Sequence, residues 1–239
     1  MIDKHLMRTR ARHVVTEEEE VVIRDLVSEV REYGPRTTII HSGERIHHST
    51  ILLDGLMCRY KDLKTGMRQI AELHVPGDFA DLHSFSLKRL DHNIMTLTPC
   101  QVALVPHERL QRLTHEHPHL TRIYWFSTNL DAAIHREWEL SLGRRDAMAR
   151  VAHLFCELHD RFALVGMMED KGYRLKLTQS DLSECLGLTP VHINRSLRSL
   201  REAGLVTFRS SRVELHNLDG LQNVADYDPA FLYLDRVED

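Results

Sequence analysis

The sequence predicts an α+β fold in three parts: a β-rich N-terminal half, one long helix, and a smaller C-terminal half that is mainly helical. Three observations predict it. Glycines recur at intervals of 11 or 12 residues through the first half, among short runs of β-branched residues. A stripe of apolar residues at helical spacing follows Pro118, and two short helices with recognisable caps lie near residue 188. The expected boundaries are residues 1–117, 118–142 and 143–239.

The composition is that of a globular protein with two domains of ordinary size. The chain has 239 residues, of which 42% are apolar and 28% are charged. It shows neither the apolar core of a signal peptide nor an uninterrupted apolar run long enough to span a membrane. Four scattered cysteines without a CxxC pair are typical of a reducing compartment and argue against a disulfide framework. We therefore expect a cytoplasmic protein that makes no membrane contact.

The N-terminal half begins with a helical pattern and then changes to a β pattern. Residues 17–32 carry apolar side chains at roughly helical spacing behind an acidic first turn, which predicts one helix that stops at Gly34. From Thr37 to Val105, β-branched runs alternate with regularly spaced turn residues, a pattern typical of a jelly-roll-like β-roll. Gly66 is predicted to occupy the left-handed position of a hairpin turn.

The long helix that starts at Pro118 has more apolar surface than one neighbouring domain would cover. Part of its stripe is expected to cover the β-domain, and the rest to pair with a second copy of the chain, which predicts a homodimer. An ordinary packing helix of a monomer is the alternative. Gly143 interrupts the stripe, which predicts a hinge. The predicted dimer-interface residues are Leu120, Ile123, Tyr124, Leu130, Ile134 and Trp138.

Capping and helix-terminating residues define two further helices between residues 177 and 204. Thr178 and Asp181 have the spacing of a capping box, and Gly187 suits the left-handed end of that helix. Thr189 then caps a second helix with Pro190 at its first position, where a missing N–H costs nothing. Two helices that meet across about three residues indicate a helix-turn-helix.

Helical phase separates the two sides of the second helix. At 100° per residue, Ile193, Leu197 and Leu200 cluster on the side that must be buried. The other sides carry groups that match base edges in DNA: arginine suits guanine, asparagine suits adenine and valine suits a thymine methyl. The predicted base-reading residues are Val191, His192, Asn194 and Arg195.

A local positive charge and a hairpin support DNA as the partner. Between Lys171 and Leu215, eight Lys and Arg residues stand against four Asp and Glu residues, a local excess of +4 in a chain of net charge −4. The segment after Gly204 alternates like a two-stranded hairpin, and its polar tip suits a phosphate-contacting wing. The predicted phosphate-contacting residues are Thr178, Ser180, Thr189, Arg198, Arg209 and Ser211.

Two alternatives stay open at this point. The arginines could form a solvated helix face, the interpretation we favour for Arg201, and the whole chain could be a ligand-binding or protein-interaction module with a non-functional helix-turn-helix. The sequence contains no Ser-His-Asp signature, phosphate-binding loop or paired carboxylates in a motif context. We therefore expect that the protein is not an enzyme.

The chain resembles the CRP/FNR family of bacterial transcription regulators over about residues 17–220. The segment "LTQSDLSECLGLTPVHINRSLRSLREAGLV" carries most of the resemblance, and "VPGDF" (75–79) and "TPCQVALV" (98–105) add to it. The resemblance implies a β-roll sensor domain, a long dimerisation helix and a C-terminal winged helix-turn-helix. It also implies a homodimer that reads a palindrome in double-stranded DNA, places Arg195 against guanine, and favours an activator that contacts RNA polymerase.

The same resemblance implies a degenerate effector pocket. In family members that bind cyclic nucleotides, a Gly-Glu-Leu run holds the ribose and an Arg-Ser pair holds the phosphate, whereas this chain has a carboxylate at the second place. Cyclic AMP is therefore not expected, and no other cofactor is assigned, although haem or another effector stays open. The N-terminal cysteine cluster of the iron–sulfur members is missing. The residues of the predicted pocket are Asp81, Leu82, Arg89, Leu90 and Asp91.

Histidines and cysteines receive structural interpretations. The chain has 17 histidines, and the "HEHPH" segment (115–119) could suggest a metal site, but its alternate spacing is awkward on a helix and Pro118 bends it. We therefore predict no metal. Cys185 shares the helical phase of Leu182, which favours a small core residue over a redox switch.

Overall fold

The computed structural model describes residues 1–235. Its helices are α1 (Asp3–Arg10), α2 (Glu17–Asp25), α3 (Ser84–Leu87), α4 (His107–Glu116), α5 (Pro118–Arg144), α6 (Ala147–Leu164), α7 (Gln179–Leu186), α8 (Pro190–Glu202) and α9 (Leu218–Ala225), and a short 3₁₀ turn covers Pro229–Leu232. Its strands are β1 (Glu29–Tyr33), β2 (Thr38–Ile40), β3 (His48–Asp54), β4 (Met57–Asp62), β5 (Arg68–His74), β6 (Asn93–Thr96), β7 (Cys100–Pro106), β8 (Gly172–Arg174), β9 (Val206–Arg209) and β10 (Arg212–Leu215).

Two antiparallel sheets form the N-terminal domain. One has the strand order β1-β7-β3 and the other has the order β2-β6-β4-β5. Leu52 and Val102 from the first sheet share an apolar cluster with Met57 and Ile94 from the second, so the sheets pack face to face. Gly66 has φ +84° in the β4–β5 hairpin, where a side chain would be strained. The predicted jelly-roll-like domain and its hairpin are thus confirmed.

The predicted helix over residues 17–32 is wrong in its second half. The capping box of Thr16 and Glu19 and the acidic first turn are present, but α2 ends at Asp25. Residues 29–33 instead form β1, with Val30 paired to Ala103 of β7. The apolar spacing in this segment fits a helix as well as an edge strand. The backbone partner that decides between them lies about seventy residues further along the chain, where a local pattern does not reveal it.

The C-terminal half is built around α6. Helices α7, α8 and α9 pack on it, and β8, β10 and β9 form a three-stranded sheet in that order. One apolar cluster joins the halves, because Tyr60 and Leu73 of the β-domain share it with Phe155 and Phe162 of α6. Helix α5 ends at Arg144, one extended residue follows, and Asp146 caps α6, so the break between the helices lies where the sequence predicts a hinge.

Helix α5 is mostly covered within its own chain, and this corrects the predicted dimer surface. The six residues predicted for the dimer interface have exposed fractions of 7% or less in the single chain. Leu120, Ile123 and Tyr124 pack in the β-domain cluster, and the other three pack in the cluster that joins the halves. The exposed side of α5 carries a different set, spaced by three and four residues: Arg122, Trp125, Asn129, Ala132, Arg136 and Glu139.

The two ends of the described chain meet beside α5. The buried Arg12 guanidinium donates hydrogen bonds to the carbonyl oxygens of Leu232 and Tyr233, and the 3₁₀ turn packs on α5. The acidic and apolar C-terminal segment that begins at Asn223 therefore packs on the rest of the chain as far as Leu234. The last four residues of the predicted 143–239 domain lie outside the described residues. No helix within residues 1–235 is both long and apolar enough for a membrane span.

Candidate nucleic-acid interface

The two helices predicted from their caps are present, with the predicted caps. The Thr178 hydroxyl accepts from the backbone N–H of Asp181 while the Asp181 carboxylate accepts from the backbone N–H of Thr178. Gly187 ends α7 with φ +60°, in the left-handed region. Thr189 caps α8 through the backbone N–H of His192, and Pro190 occupies its first turn. The helix-turn-helix is therefore confirmed in its local geometry.

The predicted phase of α8 is also confirmed. Ile193 and Leu200 are fully buried, and Leu197 packs against the same core cluster. On the opposite side Val191 is 65% exposed. The remaining side chains predicted to read bases, His192, Asn194 and Arg195, are exposed beside it.

The polar groups on this side differ in how far they are already engaged. The Asn194 amide exchanges two hydrogen bonds with Gln179 of α7, at 2.8 and 3.0 Å. Arg198 pairs with Glu202 one turn later, at 2.7 Å between Nε and Oε1. Within residues 1–235, no group hydrogen-bonds to or ion-pairs with the Arg195 side chain. The guanidinium of Arg195 is thus the most available donor on the exposed side of α8.

A wing follows α8, as predicted, and has one more strand than expected. Strands β9 and β10 pair in register from Arg209–Arg212 to Val206–Leu215, and Ser210 and Ser211 form the tip with φ +49° and +58°. Two successive left-handed residues are the signature of a type I′ turn. The unpredicted strand β8 pairs with β10 and leaves the tip exposed.

The six side chains predicted to contact phosphate all reach the surface, but Arg198 is paired with Glu202 and two others cap helices. The hydroxyls of Thr178 and Thr189 cap their helices, so what they present to solvent is mainly the free backbone N–H groups of each first turn. Ser180, Arg209 and Ser211 are exposed. Helix N-termini of this kind attract anions through their dipole and unpaired donors.

The first helix of the pair is fastened to the β-domain, a contact that the sequence does not reveal. The Arg36 guanidinium makes a two-pronged ion pair with the buried carboxylate of Asp181, and the second of its contacts measures 2.7 Å. The Gln69 amide of the β4–β5 hairpin donates to the carbonyl oxygens of Glu184 and Cys185, at 2.8 and 3.1 Å. These contacts hold α7 against the β-domain, while the outer side of α8 is exposed.

The five residues of the predicted effector pocket are not brought together. Leu82 and Leu90 belong to different apolar clusters. The Arg89 side chain is exposed and donates to the carbonyl oxygen of Gly43, while the exposed Asp91 carboxylate pairs with Lys61 at 2.7 Å. Asp81 alone is deeply buried, and its carboxylate accepts from the Thr50 backbone N–H at 2.6 Å. Burial raises the pKa of Asp81 to about 7.

The cysteines and the "HEHPH" segment show no common site among the described residues. All four cysteines are buried and unbonded. Burial raises the pKa of the Cys185 thiol well above its ordinary value, which favours its interpretation as a core residue. His115 lies in the last turn of α4, His117 follows it, and the His119 ring nitrogen lies 2.6 Å from Glu19 of α2, so the three imidazoles do not converge on one point.

Comparisons with known proteins assign both halves of the chain. Residues 30–117 match a family model described as a cyclic nucleotide-binding domain, and residues 149–224 match one described as a Crp-like helix-turn-helix domain. The transcriptional activator protein FnrL of Cereibacter sphaeroides is 27% identical over 212 residues, which cover 86% of this chain and 84% of FnrL. The fumarate and nitrate reduction regulatory protein of Escherichia coli is 23% identical over 190 residues, which cover 80% of this chain and 76% of that protein.

A solved structure shows the same arrangement of elements. The structure of FixK2 from Bradyrhizobium japonicum superposes with a TM-score of 0.77 at 26% sequence identity, over 85% of this chain and 100% of FixK2. A β-roll, a long helix and a winged helix-turn-helix in this order define a class of DNA-binding transcription regulators. The chain belongs to the CRP/FNR family of these regulators.

The description of the matched β-domain implies a cyclic nucleotide, and the residues of this chain do not fit one. The inner side of the β-domain next to α5 holds Arg59, whose guanidinium is fully engaged with the Ala80 carbonyl oxygen and the carboxylates of Glu72 and Asp131. A third carboxylate, Asp81, is buried near Arg59. An anionic phosphate would gain the Arg59 guanidinium as a partner only by displacing these buried contacts, which opposes its binding.

Proposed function

We propose that α8 reads base pairs in the major groove of double-stranded DNA through Val191, His192, Asn194 and Arg195. The observation that carries this proposal is the exposed Arg195 guanidinium, which has no partner among the described residues, on a helix whose opposite side is anchored in the core. A guanidinium held this way can donate two hydrogen bonds to guanine, and the neighbouring amide suits adenine. Asn194 would exchange its bonds with Gln179 for bonds to a base.

The phosphate contacts proposed for Thr178, Ser180, Thr189, Arg198, Arg209 and Ser211 flank the reading helix. The first turns of α7 and α8 offer backbone N–H groups, and the wing tip offers a guanidinium and hydroxyls. Contacts of this kind fix the position of the protein on the duplex and make binding sensitive to salt.

The reading proposal is tested with a selection of preferred sequences from a random DNA pool, followed by binding assays. Arg195→Ala should weaken binding to the selected site by about 1–3 kcal/mol and relax the base preference at one position per half-site. Arg201→Ala removes the same charge from the flank of the same helix and serves as the matched control. If both variants lose affinity equally for all sequences, Arg195 contributes only charge and our assignment is wrong.

We further propose that two copies of the chain pair along the exposed side of α5. Its residues recur every three and four positions, the spacing that lets two helices keep contact along their length, and the small Ala132 lies midway. The two reading helices would then lie about 34 Å apart, one turn of DNA, on a two-fold symmetric site.

A charged residue introduced on the exposed side of α5 should separate the two copies without disturbing the hydrophobic core. Ala132→Asp would bring two carboxylates together at the symmetry axis and should shift the protein to monomer in sedimentation equilibrium. Gln111→Asp adds the same charge to the exposed surface of α4 and should not. An unchanged dimer for Ala132→Asp would move the interface elsewhere.

The likeness to FnrL, which is named a transcriptional activator, supports activation as the outcome of binding. Activation implies contact with RNA polymerase. In a purified transcription assay the protein should raise transcript yield from a promoter that carries the selected site, and Arg195→Ala should not. A fall in transcript yield would instead indicate a repressor.

A further inference from the structure

Two short sequence patterns bring three possible metal ligands together between the β-domain and α5 and place a fourth, His74, beside them. Glu72 and His74 are two residues apart on β5 and therefore share one face of that strand. Asp131 and His135 are four residues apart on α5 and therefore share one face of the helix. Ligand atoms of Glu72, Asp131 and His135 all lie within 4.8 Å of one another. Within residues 1–235, no other three or more such groups gather this closely.

The separations suit a metal ion after small side-chain shifts. His135 Nε2 lies 3.3 Å from Glu72 Oε2, and His74 Nδ1 lies 3.9 Å from Glu72 Oε1. Metal bonds of about 2.1 Å to nitrogen and oxygen place neighbouring ligand atoms about 3–4 Å apart. His135 is half-buried, with 38% of its side chain exposed, so an ion can enter from solvent on that side.

The Arg59 guanidinium occupies the position of an outer-shell group. It donates to Glu72 Oε2 at 2.8 Å and to Asp131 Oδ2 at 2.6 Å, and these bonds leave the other oxygen of each carboxylate available. Hydrogen bonds of this kind orient ligating carboxylates in metal sites.

A second observation points into the same place. His74 is 1% exposed, and neither of its ring nitrogens has a hydrogen-bond partner. A small cavity lined by Glu72, His74 and Asp131 adjoins these atoms. A buried imidazole without partners is costly unless a ligand uses it.

We propose that Glu72, His74, Asp131 and His135 bind one divalent first-row transition-metal ion that joins β5 to α5. Two imidazoles and two carboxylates favour such an ion over Mg²⁺ or Ca²⁺, which prefer oxygen ligands alone. The "HEHPH" segment predicts no metal, and the proposed ligands give no local signal of their own because they lie in two pairs about sixty residues apart. The proposed site shares no residue with the proposed DNA interface.

The test uses the full-length protein after treatment with a chelator. Co²⁺ titration should produce visible d–d bands that saturate at one ion per chain, and Zn²⁺ should abolish them by competition. His135→Gln should weaken Co²⁺ binding at least about tenfold. This position is half-exposed, so the variant should fold, which circular dichroism checks. Asp131→Asn should have the same effect.

His115→Gln is the matched control, because it removes an imidazole from the "HEHPH" segment and should leave the titration unchanged. The proposal is overturned if the wild type gives no d–d bands, or if folded His135→Gln binds Co²⁺ as tightly as the wild type. Loss of binding in His115→Gln would place the metal at the "HEHPH" segment and would equally overturn it.

Discussion

Helices α5 and α8 both have an apolar side and a polar side, but their surroundings differ. Helix α8 lies at the edge of the C-terminal half and packs only on that half, so its buried residues lie on one narrow side of the helix. Helix α5 runs between the β-domain and the C-terminal half, and two apolar clusters cover it along its length. An exposed apolar residue therefore has a different meaning on each. On α8, the exposed Val191 belongs to the side that we propose reads DNA, whereas on α5 the exposed Trp125 belongs to the side that we propose pairs with a second copy.

The two tryptophans of the chain, both on α5, offer the largest test of this comparison. Trp138 is buried and its indole N–H donates to Glu157 at 2.7 Å, whereas Trp125 is 68% exposed. Trp138→Ala should lower the free energy of unfolding by about 3–5 kcal/mol at every protein concentration, because it opens a core cavity. Urea unfolding followed by circular dichroism measures it.

Trp125→Ala is the control, and its effect should depend on protein concentration. Dilute protein should unfold within about 0.5 kcal/mol of the wild type, and a larger loss should emerge only where the wild type is dimeric. Equal losses for the two variants in dilute protein would show that α5 has no free side.

The covered side of α5 also predicts a pH dependence. His5 of α1 packs against Tyr124, its ring nitrogen lies 2.9 Å from the Gly77 carbonyl oxygen, and burial lowers its pKa to about 4. Between pH 6.5 and 4 the unfolded chain binds a proton at this position that the folded chain does not. The free energy of unfolding should therefore decrease as the pH is lowered, and at pH 5 it should be about 2 kcal/mol smaller than at neutral pH.

Variants isolate the contribution of His5 to this pH dependence. His5→Gln keeps a donor for Gly77 and cannot titrate, so its unfolding free energy should change less between pH 7 and pH 5 than that of the wild type. His115→Gln, at an exposed position, should follow the wild type. The assignment to His5 fails if His5→Gln retains the full pH dependence.

The smallest expected effect concerns the open side of α8. Arg198 is held by Glu202, so DNA phosphate must compete for it. Glu202→Gln should release the guanidinium and raise DNA affinity about two- to threefold at low salt, with the gain disappearing at high salt. Glu214→Gln removes the same charge from β10 and should give a smaller gain. Identical gains would mean that Arg198 is not a specific phosphate contact.

Local signals explain why the helix-turn-helix could be predicted. Thr178, Gly187 and Thr189 act through hydrogen bonds and backbone angles within a few residues of themselves, so their meaning does not depend on the rest of the fold. The buried side of α8 is likewise predictable, because its three apolar residues Ile193, Leu197 and Leu200 all pack in one core cluster. The fold class was predictable for the same reason, since turn glycines such as Gly66 act locally.

Long-range partners explain what could not be predicted. Strand β1 depends on pairing with β7. The covered side of α5 depends on how the β-domain and the C-terminal half pack around that helix. The contact of Arg36 with Asp181 joins positions 145 residues apart. The gathering of Glu72 with Asp131 likewise requires the fold, because neither pair of ligands has a recognisable metal motif by itself.

The Asp181 carboxylate both caps α7 and joins that helix to the β-domain. Its carboxylate holds the first turn of α7 through the Thr178 N–H and, at the same time, holds α7 to the β-domain through Arg36. A rotation that pulls α7 away from the hairpin removes the cation from a buried carboxylate at the start of that helix. Such a rotation would therefore also weaken the first turn of α7. A rigid rotation of the C-terminal half is thus costlier than a movement that keeps α7 in contact with the β-domain.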